Sequence, residues 1–188
     1  MTGRDFPRLV VLDRDGVINR DSPDFIRTPA EWLPLPGSLE AIAKLAQAGF
    51  TVVVASNQSG VGRGLFSPAT LDAIHERMTK AVEGAGGRLD GIWFCPHHPD
   101  DGCDCRKPRP GLLRQIEEHF GTSLQGRPVI GDSLRDLEAA WQVGARAILV
   151  RTGNGRTTES RLAPDAAVEV FDDLATAAAR LISEVAGQ

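Results

Sequence analysis

The stretch Leu9-Val10-Val11-Leu12-Asp13-Arg14-Asp15-Gly16-Val17-Ile18-Asn19 decides the fold. Its apolar run, Leu9 to Leu12, is too short for a helix and rich in Val and Leu. It reads as a strand buried on both faces of a parallel sheet. The run ends abruptly in two acids and a glycine, so Asp13 and Asp15 sit where strand becomes loop. In an open α/β sheet that edge is where ligands bind. Two acids one residue apart can hold a hard cation such as Mg2+ through oxygen. One of them can attack an electrophile and form a covalent intermediate, which leaves the other as general acid and base. An ordinary solvated turn uses the same residue types, so the rest of the chain must decide.

Outward from this strand, apolar runs and helical periods alternate. Residues 20–36 carry Pro23, Pro29, Pro34 and Pro36 and read as a loop over the carboxyl edge of the sheet. A helix is expected from Leu39 to Gly49, a strand over Phe50–Ala55, and a polar strand-end loop over Ser56–Gly60. The glycine-rich connection 60–66 lacks the context of a dinucleotide or phosphate loop. Ser67-Pro68 reads as a helix start, with His75 on that helix as a surface or packing residue. Further strands are expected at 89–94, 127–130 and 147–150, with helices at 110–120 and 133–143. Residues 151–164 read as a polar loop, 167–170 as an edge strand, and 174–185 as a closing helix. The alternation implies an α/β fold with a mostly parallel sheet and right-handed crossovers.

The chain has 188 residues, room for one domain over 1–188 but not for two ordinary ones. Its 41% hydrophobic and 24% charged content is an average globular balance. A net charge of -4 gives no electrostatic case for nucleic acid, and no apolar run is long enough for a membrane span. Residues 1–7 hold no apolar stretch of signal-peptide length, so a cytoplasmic location is expected. All three cysteines fall between positions 95 and 105, which suggests a metal site and not a disulfide framework.

Four polar clusters stand at or just after strand ends: Asp13/Asp15, Ser56/Asn57, Arg106/Lys107 and Gly131-Asp132. In a parallel sheet those ends share one edge, so the clusters can converge. Asp132 can complete a Mg2+ site with Asp13, Ser56 can donate to a phosphoryl group, and Lys107 can offset developing charge. Asp136, four residues past Asp132, can orient Lys107 or a metal-bound water. Asp132 also suits a plain helix cap. Cys95-x-His97 and Cys103-x-Cys105 make a closed tetrahedral set for structural Zn2+, with His98 as the competitor for His97. Zinc would fold a short polar loop and so place Arg106 and Lys107.

On these residues the chain resembles the haloacid dehalogenase superfamily of phosphatases. Asp13-x-Asp15-Gly16-Val17, Ser56, Lys107 and Asp132-x-x-x-Asp136 match its four motifs in order and span nearly the whole chain. Asp13-Arg-Asp-Gly-Val-Ile-Asn19, Ser56-Asn-Gln-Ser-Gly60 and Cys95-Pro-His-His-Pro99 through Cys103-Asp-Cys-Arg-Lys-Pro108 narrow the likeness to the heptose bisphosphate phosphatases. The resemblance implies a Rossmann-like sheet with helices on both faces, no large cap domain and a short zinc-bound loop at 95–105. It implies a nucleophile at Asp13 and a general acid and base at Asp15. Mg2+ would be held by Asp13, Asp132 and the Asp15 backbone carbonyl. Ser56 and Lys107 would stabilise the phosphoryl group, and zinc would sit on Cys95, His97, Cys103 and Cys105.

Arg14, Asp21, Asp24, Asn57, Gln58, Ser59, Arg63, Arg106 and Ser133 are then candidate substrate contacts. Ser133 departs from relatives that often carry lysine there. The implied partner is a small sugar phosphate, with no nucleic acid and no membrane, and the chain is expected to work as a monomer. Histidinol-phosphate phosphatase shares these motifs. The sparse aromatics and the arginines Arg63 and Arg106 favour a second phosphate over an imidazole. A zinc-stabilised binding module without catalysis would have no reason to hold the five catalytic-type residues together.

Overall fold

The computed structural model describes residues 8–187; the expectations for residues 1–7 and for the final Gln188 lie outside them. Among the described residues six strands form one sheet: β1 (Arg8–Leu12), β2 (Phe50–Asn57), β3 (Gly91–Cys95), β4 (Pro128–Gly131), β5 (Arg146–Val150) and β6 (Glu169–Phe171). The order is β3-β2-β1-β4-β5-β6, and every pairing is parallel. This is the doubly wound order in which strand succession reverses beside the first strand, opening a crevice at the carboxyl ends.

The central strands are apolar on both faces because helices cover both. Val10 and Leu12 of β1, Val52 and Val54 of β2, and Ile148 and Val150 of β5 point into one core. There they meet α1 (Ser38–Gln47), α2 (Pro68–Gly84) and α6 (Leu174–Ala186) through Ile42, Leu45, Ile74, Met78 and Leu181. Leu9, Val11, Val53, Ala55 and Leu149 point the other way, onto Leu112, Leu113 and Ile116 of α3 (Gly111–Phe120) and Leu137 of α4 (Leu134–Gln142). Alternation with period two places each neighbour in the opposite core.

Helix ends follow their sequence signals. Ser67 Oγ accepts from Thr70 N at 3.1 Å with Pro68 in the first turn. Gly49 and Gly144, just past α1 and α4, adopt positive φ. Several expectations need correction. β2 runs on through Ser56 and Asn57, which the sequence places in the loop, and β3 starts two residues later than its sequence suggests and ends at Cys95. Residues 151–164 are not all loop, since α5 (Gly155–Glu159) lies within them. The last strand begins two residues later than its apolar run suggests, because the Trp141 indole N–H takes the carbonyl of Ala167 at 2.9 Å. No domain-sized insertion interrupts the sheet among the described residues, and none of their helices is long and apolar enough to cross a membrane.

Candidate active site

The register brings the acids together. Leu12 lies between Val54 and Ile130, and Asp13 N extends the ladder by donating to Ile130 O at 2.9 Å. Asp13, Ser56 and Asp132 thus emerge from three adjacent strands at the same edge. They line one cavity of about 290 Å³ together with Arg14, Asp15, Asp21, Asn57, Gln58, Ser59, Arg63, Arg106, Lys107 and Ser133. Asp24 does not line it: the chain turns at Phe25, whose φ is 66°, and Phe25 lines the wall instead. The Asp24 carbonyl is taken by Arg27 Nε at 2.7 Å.

Lys107 is buried at the centre. Its ammonium lies 3.0 Å from Asp13 Oδ1 and 2.6 Å from Asp136 Oδ1, and donates to Ala55 O at 2.7 Å. Burial alone would lower its pKa, but the two carboxylates outweigh it and hold the lysine charged well above the ordinary range. Burial, then Asp136, push the Asp13 pKa well up against the opposing pull of Lys107. Asp132 rises to about 7, by burial first and Asp136 second. Crowded carboxylates of this kind are what a divalent cation relieves.

Asp13, Asp132 and Asp136 offer oxygens within 4.8 Å of one another. Asp136 is already committed, with Oδ1 on Lys107 and Oδ2 accepting from Ser133 N at 3.0 Å and Ser133 Oγ at 2.6 Å. That leaves Asp13 and Asp132 for a metal. Ser133, not Asp132, is the cap of α4. Asp132 Oδ2 accepts from Asn154 N at 2.7 Å. A Cβ on either Gly16 or Gly153 would come within 2.2 Å of that same oxygen, so both backbones need glycine to close around Asp132.

Asp15 behaves oppositely to Asp13. Burial opposes its ionisation, but Arg14, Asn19 and Gln58 hold its pKa below the usual carboxylate value. Asn57 is turned to the scaffold, its amide pairing with both Lys107 N and Lys107 O at 3.0 Å. The mouth is basic. Burial, then the guanidiniums of Arg135 and Arg63, lower the Arg106 pKa, and Arg106 Nη1 is a buried donor without a partner among the described residues. Arg135 and Asn154 join the site without a sequence signal, because an arginine on a helix and an asparagine in a polar loop do not mark a strand end.

Beside the cavity, one donor atom each from Cys95, His97, Cys103 and Cys105 lies within 4.8 Å of the others. Cys95 and Cys103 sulfurs are 3.5 Å apart, and His97 Nδ1 is 3.2 Å from Cys105 Sγ. Three soft sulfurs and one imidazole at these separations match a tetrahedral zinc set. His98 is elsewhere, its Nδ1 accepting from Asp100 N at 3.2 Å.

Comparison with known proteins agrees with this geometry. A family model described as "HAD-hyrolase-like" matches residues 104–177, and one described as polynucleotide kinase 3 phosphatase matches residues 9–132. A D-glycero-beta-D-manno-heptose-1,7-bisphosphate 7-phosphatase of Bordetella bronchiseptica is 53% identical over 94% of this chain and 99% of its own length. One from Escherichia coli is 36% identical over 88% of this chain and 90% of its own. The solved structure of the D,D-heptose 1,7-bisphosphate phosphatase from B. bronchiseptica, complexed with magnesium and phosphate, superposes with a TM-score of 0.91 at 53% identity. It covers 94% of this chain and 98% of its own. The chain belongs to the haloacid dehalogenase superfamily of phosphatases, in the branch formed by the heptose-1,7-bisphosphate 7-phosphatases.

Proposed function

We propose that this chain, acting as one domain, hydrolyses the 7-phosphate of D-glycero-D-manno-heptose 1,7-bisphosphate, in the supply of activated heptose for cell-surface polysaccharide. The observation that carries the reading is the two-ended cavity. Acids able to hold a cation form its floor, and Arg63, Arg106 and Arg135 stand together at its mouth. A sugar with a phosphate at each end would be met at both. The orphaned Arg106 Nη1 is suited to the distal phosphate.

Mg2+ would be held by Asp13 and Asp132, whose oxygens lie together, and by the Asp15 backbone carbonyl that the family resemblance implies, and it would screen the repulsion between carboxylate and phosphate. Asp13 attacks phosphorus in line, and its oxygen forms the new P–O bond as the sugar oxygen leaves. In its protonated form, which the negative charge of a bound phosphate favours, Asp15 gives that alkoxide a proton, without which it leaves poorly. Asp15 then takes a proton from water, whose oxygen attacks the aspartyl-phosphate and frees Asp13. Lys107 keeps Asp13 aligned and offsets the transferring charge, and Ser56 donates to a phosphoryl oxygen. Zn2+ fits the Cys95, His97, Cys103 and Cys105 set as a structural ion. Three cysteines gathered for a metal and not paired in disulfides suit the reducing cytoplasm, and a monomer suffices because every residue named lies in one chain.

Phosphate release should be measured with Mg2+ from heptose 1,7-bisphosphate, histidinol phosphate and a 3′-phosphorylated oligonucleotide. A kcat/KM at least about 100-fold higher on the bisphosphate is expected, the order that one well-made charged hydrogen bond to the second phosphate supplies. Equal or reversed preference overturns the substrate assignment.

A further inference from the structure

We infer that Arg14, Asn19 and Gln58 form a positioning clamp that aims Oδ2 of Asp15 for proton transfer. The inference rests on reading Asp15 as the general acid and base. Arg14 and Gln58, which the sequence puts among substrate contacts, direct Nε and Nη2 of the guanidinium and Nε2 of the amide at Asp15. Arg14 is 1% exposed and Gln58 5%, and Asn19 is fully buried. Oδ1 of Asp15 receives Arg14 Nε at 3.2 Å, Arg14 Nη2 at 3.0 Å and Asn19 Nδ2 at 2.9 Å. Oδ2 receives Arg14 Nη2 at 3.1 Å and Gln58 Nε2 at 2.8 Å.

A carboxylate oxygen has about two acceptor positions. Oδ1 takes two donors of its own, Arg14 Nε and Asn19 Nδ2, and shares Nη2; Oδ2 takes one of its own, Gln58 Nε2, and shares Nη2, so Oδ2 is the less committed oxygen and the one that can exchange a proton. The clamp also reaches the phosphoryl side. Gln58 Nε2 lies 2.8 Å from Ser56 Oγ. The amide nitrogen must face Asp15, an acceptor, so its second hydrogen goes to Ser56. Ser56 Oγ then accepts, and its own hydrogen is left to donate into the cavity. One amide thus orients both the proton-transfer group and a phosphoryl donor.

A proton from Asp15 matters only when the leaving group is a poor one. The test is kcat/KM, which reports transfer to Asp13 alone, across phosphate monoesters from alkyl to p-nitrophenyl, for Gln58→Ala, Arg14→Lys and Asp15→Asn. Arg14→Lys should lose about 100-fold or more on an alkyl phosphate and under about 5-fold on p-nitrophenyl phosphate; Gln58→Ala, which also frees Ser56, should lose on both, but at least about 20-fold more on the alkyl ester, so both variants steepen the leaving-group dependence as Asp15→Asn does. Equal losses on both substrates, with Asp15→Asn steep, would overturn the clamp and make these residues plain binding or structural groups. A flat profile for Asp15→Asn would overturn the role of Asp15 itself, and the clamp with it. Thermal melts accompany each variant. Gln58→Ala, at the cavity wall, decides the matter if Arg14→Lys does not fold.

Discussion

His75 shows how a single buried group couples the site to acid stability. It is 7% exposed, packs on Phe94 with ring centroids 5.2 Å apart, and its Nε2 has no partner among the described residues. Burial first, and the charge of Arg14 second, hold its pKa down to about 4 from 6.5, against the weaker pull of Asp15. Between those values the unfolded chain binds a proton that the folded one refuses, so stability falls as pH drops from 6.5 towards 4. Above 6.5 both states are neutral and the group contributes nothing. Urea melts of His75→Leu should show a flatter fall over that window, by up to about 3 kcal/mol at pH 4. Identical pH profiles for variant and wild type would refute the assignment. The sequence shows His75 only as a helical residue. Its acid sensitivity comes first from burial in the folded core and second from Arg14, sixty-one positions away in the chain. Asp13, Asp15 and Asp132 are legible beforehand because an acid at the end of an apolar strand is itself a chemical signal. Asn154, which holds Asp132, has no such signal.

The zinc-type loop is the element on which the site leans most. Its backbone is wedged between two glycines: a Cβ on Gly62 would lie 2.4 Å from His98 N, and one on Gly111 2.3 Å from Asp104 O. Gly62 of the glycine-rich stretch therefore serves close approach to this loop, a role that spacing alone does not reveal. Arg106 and Lys107 leave directly from it, and Asn57 pins Lys107 to β2. Stripping the sulfur cluster with a chelator should lower kcat/KM at least about 10-fold with Mg2+ replenished, and Zn2+ should restore it. Metal analysis paired with the assay checks this, and unchanged activity after complete zinc loss would contradict it. The segment after β5 offers a second check. Thr158 of α5 donates to Asp132 O at 2.9 Å, and Thr152 to Gly16 O at 2.6 Å. Gly153→Val should therefore cost about 100-fold in kcat/KM, the order expected from a small misplacement of a catalytic group, with little change in the core. Helix α5 escapes sequence reading because polar ties hold it, including Arg151 forked onto Glu159, and not an apolar stripe.

Across the whole molecule, the layered order is open to sequence reading because strands covered by helices on both faces must be continuously apolar. The far sheet edge is less so, since ion pairs help fix it. Arg146 of β5 pairs with Glu169 of β6 and with Glu184 of α6, the latter at 2.6 Å. The group is part exposed, so Arg146→Met should cost only about 1 kcal/mol, screened by salt. Denaturant midpoints at low and high salt test it. A different consequence follows from the place of β1. It is made first yet lies between β2 and β4, and β4 emerges from the ribosome only after about 120 more residues, roughly ten seconds at ordinary synthesis rates. Throughout that interval one flank of this apolar strand has no partner, and its twin acids have no Asp132. Until β4 is made, the site therefore lacks both the second flank of its central strand and its third acid.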